Sequence, residues 1–285
     1  MNVPYAEVIG DPVAHSKSPL IHRFWLEKLA LDGAYRAVKV APEELPAYFA
    51  DRRADPDWMG ANVTIPHKQA AARLVDRLEG AAATIGAANI VVRSRKAKTD
   101  LLGYNSDAEG FLEPLRPLLM QPHLFRMARI FGAGGAARAV AHALAPHGFT
   151  LVVAARDAGK AEALIGELPG QHHAVALGHF QEPTDFVFDD RQGLLDLVVN
   201  ASPLGMEDQP PLLLDWSHVP PGSIVYDLVY SPLETRLLAE AKARGHRTID
   251  GLQMLIGQAA AAFELFFGRP APREHDAELR GMLAR

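Results

Sequence analysis

Short apolar runs alternate with segments of helical periodicity along the first hundred residues. Continuous or alternating apolar runs predict strands, and apolar residues spaced three and four positions apart predict helices. In chain order, the predicted elements are a strand at Tyr5–Ile9, a helix at Leu20–Leu31, a strand at Tyr35–Val40, a helix at Pro42–Ala50 and a strand at Gly60–Thr64. This β-α-β-α-β order favours parallel strands joined by right-handed crossovers.

The pattern continues with a third helix and two further strands. The helix is predicted around Gln69–Leu78, and the strands are predicted at Asn89–Arg93 and Leu101–Tyr104. Asp107–Glu113 also has helical spacing, and Pro114 follows it directly. Because proline inside a helix removes a hydrogen bond, we expect this helix to be short and to lie near a domain boundary.

A second alternation begins near Arg129 and predicts a second α/β domain. Its predicted elements are strands at Ile130–Phe131, Phe149–Ala155, Leu195–Asn200 and Ser223–Asp227, and helices at Ala136–Ala145 and Lys160–Glu167. The last apolar helix, Met254–Phe267, contains Gln258 and Glu264 and is shorter than the ~20 residues of a membrane span. We therefore expect a buried amphipathic helix there, and an α/β fold with two domains overall.

The composition is that of a globular chain that can bury a sizeable core. Of the 285 residues, 48% are hydrophobic, and 29 Lys and Arg stand against 34 Asp and Glu. The net charge of −5 and the lack of a basic block argue against a nucleic-acid partner. The absence of cysteine excludes disulfides, thiolate metal sites and a cysteine nucleophile. No two of the 12 histidines have H-x-x-x-H spacing, so no metal is expected. The first residues do not look like a signal peptide, so we expect a cytoplasmic protein with no membrane partner.

A glycine-rich loop follows the predicted strand Ile130–Phe131 and opens the next helix. Its spacing matches G-x-G-x-x-G/A, with Ala137 in the third position. In this motif the first glycine makes a tight turn, the second lets the backbone approach a pyrophosphate, and the third position allows close helix packing. Main-chain N–H groups and the helix dipole then favour the diphosphate. The residues expected to bind a dinucleotide here are Gly132, Ala133, Gly134, Gly135 and Ala136.

The end of the following strand indicates which dinucleotide is bound. NAD sites usually carry an Asp or Glu there, which binds the ribose 2′-hydroxyl. This chain has Arg156 instead, with Lys160 close behind. A guanidinium suits a phosphate, which favours NADP over NAD. Two alternatives stay open, since Asp157 could still reach a ribose hydroxyl and Arg156 could be a solvated loop residue.

Four polar segments in the first half of the chain mostly follow or end predicted strands. They are His15–Pro19, Asn62–Lys68, Gly86–Asn89 and Gly103–Asp107. Ligands of parallel α/β sheets bind at the carboxyl ends of strands, so these segments are candidates for one pocket. Helix caps, turns or solvated side chains would explain each segment singly. Together, beside a dinucleotide loop, they favour a polyhydroxylated ligand, with Lys68 and Asp107 as the pair that exchanges a proton.

These motifs, taken in order, resemble those of the shikimate dehydrogenases. The runs that carry the resemblance are HSKSP, NVTIPHK, GAANIV, GYNSD, GAGGAAR, NASPLGM, DLVYSPLET and DGLQMLIGQA, between about Val8 and Gly268. The resemblance implies the reversible reduction of 3-dehydroshikimate to shikimate with NADPH, in the pathway to chorismate and the aromatic amino acids. A small-molecule substrate is expected, and the chain is expected to be a monomer or a homodimer.

The resemblance also assigns roles to individual residues. The implied substrate-binding residues are Ser16, Ser18, Thr64, Lys68, Asn89, Asp107, Tyr230 and Gln258. Lys68 and Asp107 are the implied catalytic pair, whereas His15 and His67 are implied to be hydrogen-bonding or surface groups. Besides the glycine loop, the implied cofactor residues are Arg156 and Lys160 at the 2′-phosphate, Met206 and Val229 at the nicotinamide, and Gly251.

Some positions depart from the family pattern, namely Ile90, Ser106, Ala155, Asp157 and Lys160. The last three leave the strength of the NADP preference open. The alternatives are a quinate/shikimate dehydrogenase with relaxed NAD/NADP use, a methylene-tetrahydrofolate dehydrogenase and a non-catalytic NADP-binding sensor. The serine pair of HSKSP and Gln258 argue against the folate enzyme, and the presence of both Lys68 and Asp107 argues against the sensor.

The resemblance finally implies how the two domains are built. Residues 1–106 together with 252–285 are expected to form an N-terminal α/β substrate-binding domain with a mainly parallel sheet. Residues 107–251 are expected to form a Rossmann-like NADP-binding domain, with a cleft between the two. The substrate domain is expected to be discontinuous, because the C-terminal helix would carry Gln258 back to it.

Overall fold

The computed structural model describes residues 3–94, 96, 99–188 and 193–284. The chain forms two compact units, one of Met1–Gly110 with Leu255–Arg285 and the other of Phe111–Met254. We call them unit 1 and unit 2. Each unit is built around one six-stranded sheet.

The sheet of unit 1 is mixed, and its first three strands are parallel. In chain order its strands are β1 Tyr5–Gly10, β2 Ala34–Lys39, β3 Trp58–Val63, β4 Arg77–Leu78, β5 Ile90–Arg93 and β6 Leu101–Tyr104. They lie in the order β2-β1-β3-β5-β6-β4. Strands β2 and β3 pair in parallel with β1, which confirms the pairing predicted from the β-α-β-α-β pattern. Strand β5 is antiparallel to both β3 and β6, so β3 and β6 point the same way.

The first helix of unit 1 buries the face that its periodicity predicts. The helices before the unit boundary are α1 Ser18–Lys28, α2 Leu45–Ala54, α3 Lys68–Leu74 and α4 Ala81–Ile85, and helix α5 Asp107–Leu112 crosses the boundary. On α1, Ile21 and Trp25 are fully buried. Pro19 occupies the first turn of α1, where its missing N–H costs no helical hydrogen bond. Burial of one large apolar side chain is worth roughly 1.5–3 kcal/mol, so this apolar face is what holds α1 on the sheet.

One helix of unit 1 is shorter than its sequence pattern predicts. The helical prediction for Gln69–Leu78 is wrong beyond Leu74, because Val75 is extended and Arg77–Leu78 pair with β6 as strand β4. The short helix α4 then follows, and the apolar pattern does not predict it. Pairing with a strand that comes later in the sequence decides this stretch, and no local pattern contains that information.

Unit 2 has a parallel sheet in the strand order of a doubly wound nucleotide-binding fold. Its strands are β7 Phe125–Phe131, β8 Phe149–Ala155, β9 His173–Ala176, β10 Leu194–Asn200, β11 Ile224–Asp227 and β12 Arg247–Ile249. They lie in the order β12-β11-β10-β7-β8-β9, and each described pair of neighbours is parallel. The strand order reverses between β7 and β10, and ligands of such sheets bind outside the carboxyl ends of the strands at that reversal. The predicted Rossmann-like fold is confirmed.

In unit 2 the predicted strands and helices are present within two residues of their bounds, apart from the start of β7, but strands β9 and β12 and the helices at Arg116–Leu119 and Arg236–Ala243 are not predicted. Its helices are α6 Arg116–Leu119, α7 Gly135–Leu144, α8 Ala158–Gly166 and α9 Arg236–Ala243. Strand β8 has the predicted bounds. Strand β7 begins at Phe125, whereas only its last two residues, Ile130 and Phe131, are predicted. Arg129 interrupts the apolar run of β7, and it is buried because Asp196 on the neighbouring β10 pairs with it at 3.3 Å.

Two C-terminal helices complete the fold, α10 Gly251–Phe267 and α11 Asp276–Leu283. From Leu255 onward the chain belongs to unit 1, where Phe266 packs in a buried cluster with Val8 and Tyr35. Gly60 on β3 leaves room for α10, since a Cβ there would lie 2.6 Å from Cε1 of Phe266. Among the described residues, no helix has the length and apolar character needed to cross a membrane.

Candidate active site

Lys68 and Asp107 form a direct ion pair at one edge of the unit 1 sheet. Nζ of Lys68 lies 2.6 Å from Oδ2 of Asp107, and the two side chains are 15% and 4% exposed. Lys68 begins α3 after β3, and Asp107 begins α5 after β6. Because β3 and β6 point the same way, with β5 between them, both residues leave the sheet at the same edge. The two groups singled out in the sequence are therefore in contact.

Asn89 connects this ion pair to its surroundings. It lies just before β5, whose amino end reaches the same edge of the sheet. Its Nδ2 lies 2.9 Å from Oδ1 of Asp107 and 3.0 Å from Oγ of Ser106. Its Oδ1 accepts a hydrogen bond from the N–H of Ser106 at 2.9 Å. The Asp107 carboxylate thus has Lys68 on one oxygen and Asn89 on the other, which fixes its orientation.

Gln258 reaches the same cluster from helix α10. Its Oε1 lies 3.3 Å from Nδ2 of Asn89, and its main-chain carbonyl accepts a hydrogen bond from Oγ of Ser106 at 3.0 Å. Gln258 is 8% exposed and Asn89 is 2% exposed. Unit 1 therefore brings together residues that follow β3, precede β5 and follow β6 with a residue of a helix near the end of the chain.

Asn105 and Ser106 belong to the predicted polar segment Gly103–Asp107, but the sequence gives neither of them an individual role, and in the structure they support the site. Oδ1 of Asn105 accepts a hydrogen bond from the N–H of Asp107 at 3.0 Å, and its Nδ2 donates to the carbonyl of Ala87 at 2.9 Å. An asparagine oxygen bound to the N–H two residues later is an Asx turn, and the run GYNSD contains that signal. The turn holds Asp107 at the start of α5.

Three predicted substrate-binding hydroxyls follow the adjacent parallel strands β1 and β3. Ser18 is the first residue of α1 and is 5% exposed, and its N–H donates to Oγ of Ser16 at 3.3 Å. Thr64 directly follows β3, and its N–H donates to the carbonyl of Ile9 on β1 at 2.9 Å. These hydroxyls therefore lie at the strand ends from which Lys68 also departs.

The two histidines in these motifs differ in their surroundings. His67 is buried, and its Nε2 lies 2.7 Å from the carbonyl oxygen of Val40, whereas His15 is exposed. The ring of His67 therefore holds the main chain at the end of β2. Within the described ranges, no group of three or more His, Asp or Glu side chains is placed to hold a metal ion.

The glycine loop of unit 2 lies between β7 and α7, at the reversal of strand order. Gly132 has a φ of +118°, and a Cβ there would lie 2.8 Å from the carbonyl oxygen of Ala201, just after β10. Only glycine fits this conformation and this close approach. Gly134 is the N-cap of α7, and a Cβ there would meet nothing within 4 Å. The first N–H groups of α7 lack helical partners and suit an anion. The loop and first turn comprise Gly132, Ala133, Gly134, Gly135 and Ala136.

Arg156 directly follows β8, the strand that pairs with β7. Its side chain is exposed, as is that of Lys160. Asp157 is the N-cap of α8, since its Oδ1 accepts a hydrogen bond from the N–H of Lys160 at 3.3 Å. Nζ of Lys160 lies 3.9 Å from Oδ2 of Asp157. The Asp157 carboxylate thus caps the first turn of α8. Arg156 presents a cation at the end of β8, where a 2′-phosphate would bind.

On the other side of the reversal, β10 and β11 lead into loops that contain Met206, Val229 and Tyr230. Val229 is buried, and its N–H donates to Oδ1 of Asp227 at 3.0 Å. Burial raises the pKa of Asp227 to about 6. Gly251 begins α10, and a Cβ there would lie 2.4 Å from the carbonyl oxygen of Leu228. Of the predicted substrate residues, Tyr230 belongs to unit 2 and the other seven belong to unit 1.

Comparison with known proteins identifies the family. A model of the shikimate dehydrogenase substrate binding domain matches residues 8–91, and a model of the shikimate 5′-dehydrogenase C-terminal domain matches residues 251–278. A curated relative, shikimate dehydrogenase (NADP(+)) of Sphingopyxis alaskensis, is 50% identical over 281 residues, covering 98% of this chain and 97% of that protein.

Solved structures give the same result. The shikimate 5-dehydrogenase of Thermus thermophilus in complex with NADP(H) and shikimate superposes with a TM-score of 0.80 at 37% identity, over 98% of this chain and 99% of that one. A quinate dehydrogenase of Corynebacterium glutamicum in complex with NAD superposes with a TM-score of 0.82 at 30% identity, over 98% and 99% of the two chains. Because half of its residues are identical to those of a curated member over nearly the full length of both, the chain belongs to the shikimate dehydrogenase family.

Proposed function

We propose that this chain catalyses the reversible, NADPH-dependent reduction of 3-dehydroshikimate to shikimate, a step toward chorismate and the aromatic amino acids. The observation that carries the proposal is the 2.6 Å contact between Lys68 and Asp107, at the sheet edge where the other polar groups of unit 1 meet. A domain of residues 1–106 with 252–285 would then bind the substrate, and a domain of residues 107–251 would bind the dinucleotide. These bounds lie within a few residues of units 1 and 2.

Lys68 is the proposed proton donor of the reduction. When the ring ketone is reduced, its oxygen gains negative charge and must take up a proton. The Lys68 ammonium is 15% exposed and held by Asp107, so it is oriented yet open to a ligand. Its Nζ proton would pass to that oxygen, and in the oxidation of shikimate the neutral amine would take the proton back. A general acid of this kind typically contributes about 10²–10⁴-fold in rate.

Further hydrogen-bonding groups are proposed to hold the substrate. Asn89, Asp107 and Gln258 form one connected cluster and would bind the ring hydroxyls. The remaining proposed contacts are hydroxyls for the substrate carboxylate and its surroundings, namely Ser16, Ser18, Thr64 and Tyr230. A polyhydroxylated acid would therefore meet uncharged donors at its carboxylate and one ion pair at its reacting end.

The residues of unit 2 fit NADP. Gly132 leaves room where any Cβ would collide with Ala201, and the first turn of α7 offers N–H groups to a diphosphate. Arg156, with Lys160 nearby, would bind the 2′-phosphate. Met206 and Val229 would line the nicotinamide, and Gly251 would also contact the cofactor. When bound, the reduced nicotinamide supplies the hydride. We also propose that the chain works in the cytoplasm, as a monomer or a homodimer.

The test follows the absorbance of reduced nicotinamide with shikimate and NADP as substrates. Lys68→Ala is expected to lower kcat about 10²–10⁴-fold, because the proton donor is lost, and to leave the KM for shikimate within a few fold. Lys242→Ala is the matched control, since the Lys242 ammonium is exposed and pairs with Glu234. Near wild-type turnover in Lys68→Ala would exclude the proposed role.

The same assay tests the wider specificity. Quinate and NAD are offered in turn, because one structural neighbour is a quinate dehydrogenase in complex with NAD. The observed capping of α8 by Asp157 and the exposed Arg156 favour NADP. Turnover of quinate with NAD at a rate comparable to shikimate with NADP would replace the proposed function by the relaxed one.

A further inference from the structure

The carboxylate of Asp227 is the centre of a buried hydrogen-bond network at the end of β11. Asp227 is 0% exposed. Its Oδ1 accepts hydrogen bonds from Nδ2 of Asn200 at 2.9 Å and from the N–H of Val229 at 3.0 Å. Its Oδ2 accepts a hydrogen bond from Oγ1 of Thr235 at 2.6 Å. One side chain therefore fixes its own loop at two points and reaches the neighbouring strand.

Asn200 extends the network into the loop that follows β10. It is also 0% exposed. Its Oδ1 accepts hydrogen bonds from the N–H and Oγ of Ser202, at 3.1 and 2.7 Å. Its Nδ2 also donates to the carbonyl of Leu204 at 2.8 Å. The loops 201–206 and 228–235, which follow adjacent parallel strands, are thus joined through Asn200 and Asp227.

The backbone beside Val229 is also confined from the opposite direction. A Cβ at Gly251 would lie 2.4 Å from the carbonyl oxygen of Leu228 and 2.7 Å from that of Val229. The main chain at 228–229 is therefore held between the Asp227 carboxylate on its N–H side and the first residue of α10 on its carbonyl side. A short segment held on both sides has little freedom to shift.

We propose that Asp227 is a positioning residue for the reduction, and that it fixes the two loops that carry Met206, Val229 and Tyr230. The inference rests on the proposed function, in which these three residues contact the nicotinamide and the substrate. Asp227 itself would touch neither ligand, because its carboxylate is fully buried among Asn200, Thr235 and the main chain.

The chemistry of the partners defines which atom of Asp227 matters. Both groups that face Oδ1 are donors with fixed orientation, since the Asn200 amide is held by Ser202 and Leu204 and the other donor is a main-chain N–H. The partner of Oδ2 is a hydroxyl, which can donate or accept. An acceptor is therefore required at Oδ1, whereas a donor is tolerated at Oδ2.

This asymmetry makes Asp227→Leu and Asp227→Asn a matched pair of variants. Leucine keeps the branched shape and removes both acceptors, whereas asparagine keeps an oxygen for Asn200 and Val229 and can donate to Thr235. We expect Asp227→Leu to lower kcat about 10- to 100-fold, the scale of an ångström-sized misplacement of reacting groups, and Asp227→Asn to stay within about threefold of wild type.

Hydrogen exchange on the protein without ligands gives a readout that is independent of turnover. In Asp227→Leu, peptides that cover 201–206 and 228–235 are expected to exchange faster, because the N–H of Val229 loses its acceptor. Peptides that cover β7 and α7 are expected to keep their wild-type rates. The affinity for NADPH, measured by its fluorescence, is expected to fall in parallel. Faster exchange throughout unit 2, with kcat lost equally in both variants, would show a merely structural role and overturn the inference.

Ser202→Ala tests the same network if Asp227→Leu does not fold. It removes a hydroxyl donor from Oδ1 of Asn200 in a partly exposed loop, so Tm is expected to stay unchanged while kcat falls severalfold. Wild-type kcat and wild-type exchange in Ser202→Ala would overturn the inference. A wild-type protein without shikimate and NADP turnover would instead refute the proposed function, and the exchange data would still decide whether Asp227 holds the two loops.

Discussion

A buried histidine next to the proposed substrate site is expected to make unit 1 sensitive to acid. His22 lies on α1 one turn after Ser18 and is 0% exposed. Its ring stacks on that of Tyr35, with 4.0 Å between centroids and 1° between planes. Burial lowers the pKa of His22 from 6.5 to about 3. The folded protein therefore keeps this ring neutral where the unfolded chain protonates it.

The sign and size of the effect follow from this difference in pKa. Below pH 6.5 the unfolded chain takes up a proton on His22 that the folded state refuses until about pH 3, so stability falls as the pH falls. At pH 5 the loss amounts to about 2 kcal/mol relative to pH 8, and at pH 3 it reaches about 4 kcal/mol. The loss at pH 5 is a large fraction of the roughly 5–15 kcal/mol that stabilises a typical domain.

Urea unfolding of wild type and His22→Leu at pH 8, 6.5 and 5 measures this contribution. Leucine packs beside Tyr35 and Phe263 without a titrating group, so every other ionisable side chain cancels between the two proteins. The free energy of unfolding of His22→Leu minus that of wild type is expected to be about 2 kcal/mol larger at pH 5 than at pH 8. His147→Leu is the control, because that histidine is exposed.

A constant difference between His22→Leu and wild type across this pH range would refute the reasoning. It would mean that His22 gains its proton equally well in the folded and unfolded states. A difference that grows in the opposite direction would mean that folding stabilises the imidazolium, which the apolar surroundings of the ring exclude.

Two further predictions concern the cofactor. Arg156→Ala is expected to raise the KM for NADP by about 10-fold or more and to leave the KM for NAD nearly unchanged, because a charge-assisted contact to the 2′-phosphate is lost. An unchanged preference for NADP in steady-state kinetics would contradict the assignment. Gly132→Ala is expected to weaken NADPH binding in a fluorescence titration, since its Cβ would lie 2.8 Å from the Ala201 carbonyl oxygen. Gly148→Ala is the control, because Gly148 also has a positive φ, of +74°, but a Cβ there would meet nothing within 4 Å. Equal losses of NADPH affinity in the two variants would exclude the collision as the cause.

Elements with a strong local pattern are those that the sequence predicts well. Strands Phe149–Ala155 and Leu101–Tyr104 have the predicted bounds, because their apolar runs end at residues that leave the sheet. The prediction of an element fails where its conformation depends on pairing with a residue or a strand that is distant in the sequence. Arg129 is buried in β7 with Asp196 beside it on β10, and Arg77–Leu78 form a strand because β6 is there to pair with them.

The chemistry of the proposed site was contained in the sequence, whereas its geometry was not. The residue types at Lys68, Asp107, Asn89 and Gln258 are present in the motifs, and the motifs indicate the family. Their meeting depends on β3 and β6 pointing the same way with antiparallel β5 between them, and on α10 packing into unit 1. The spacing of apolar residues shows which face of each segment is buried, because that spacing is a property of the segment's own sequence. Which segments become neighbours depends on strand pairing and packing across the whole fold, and so only the tertiary structure decides it.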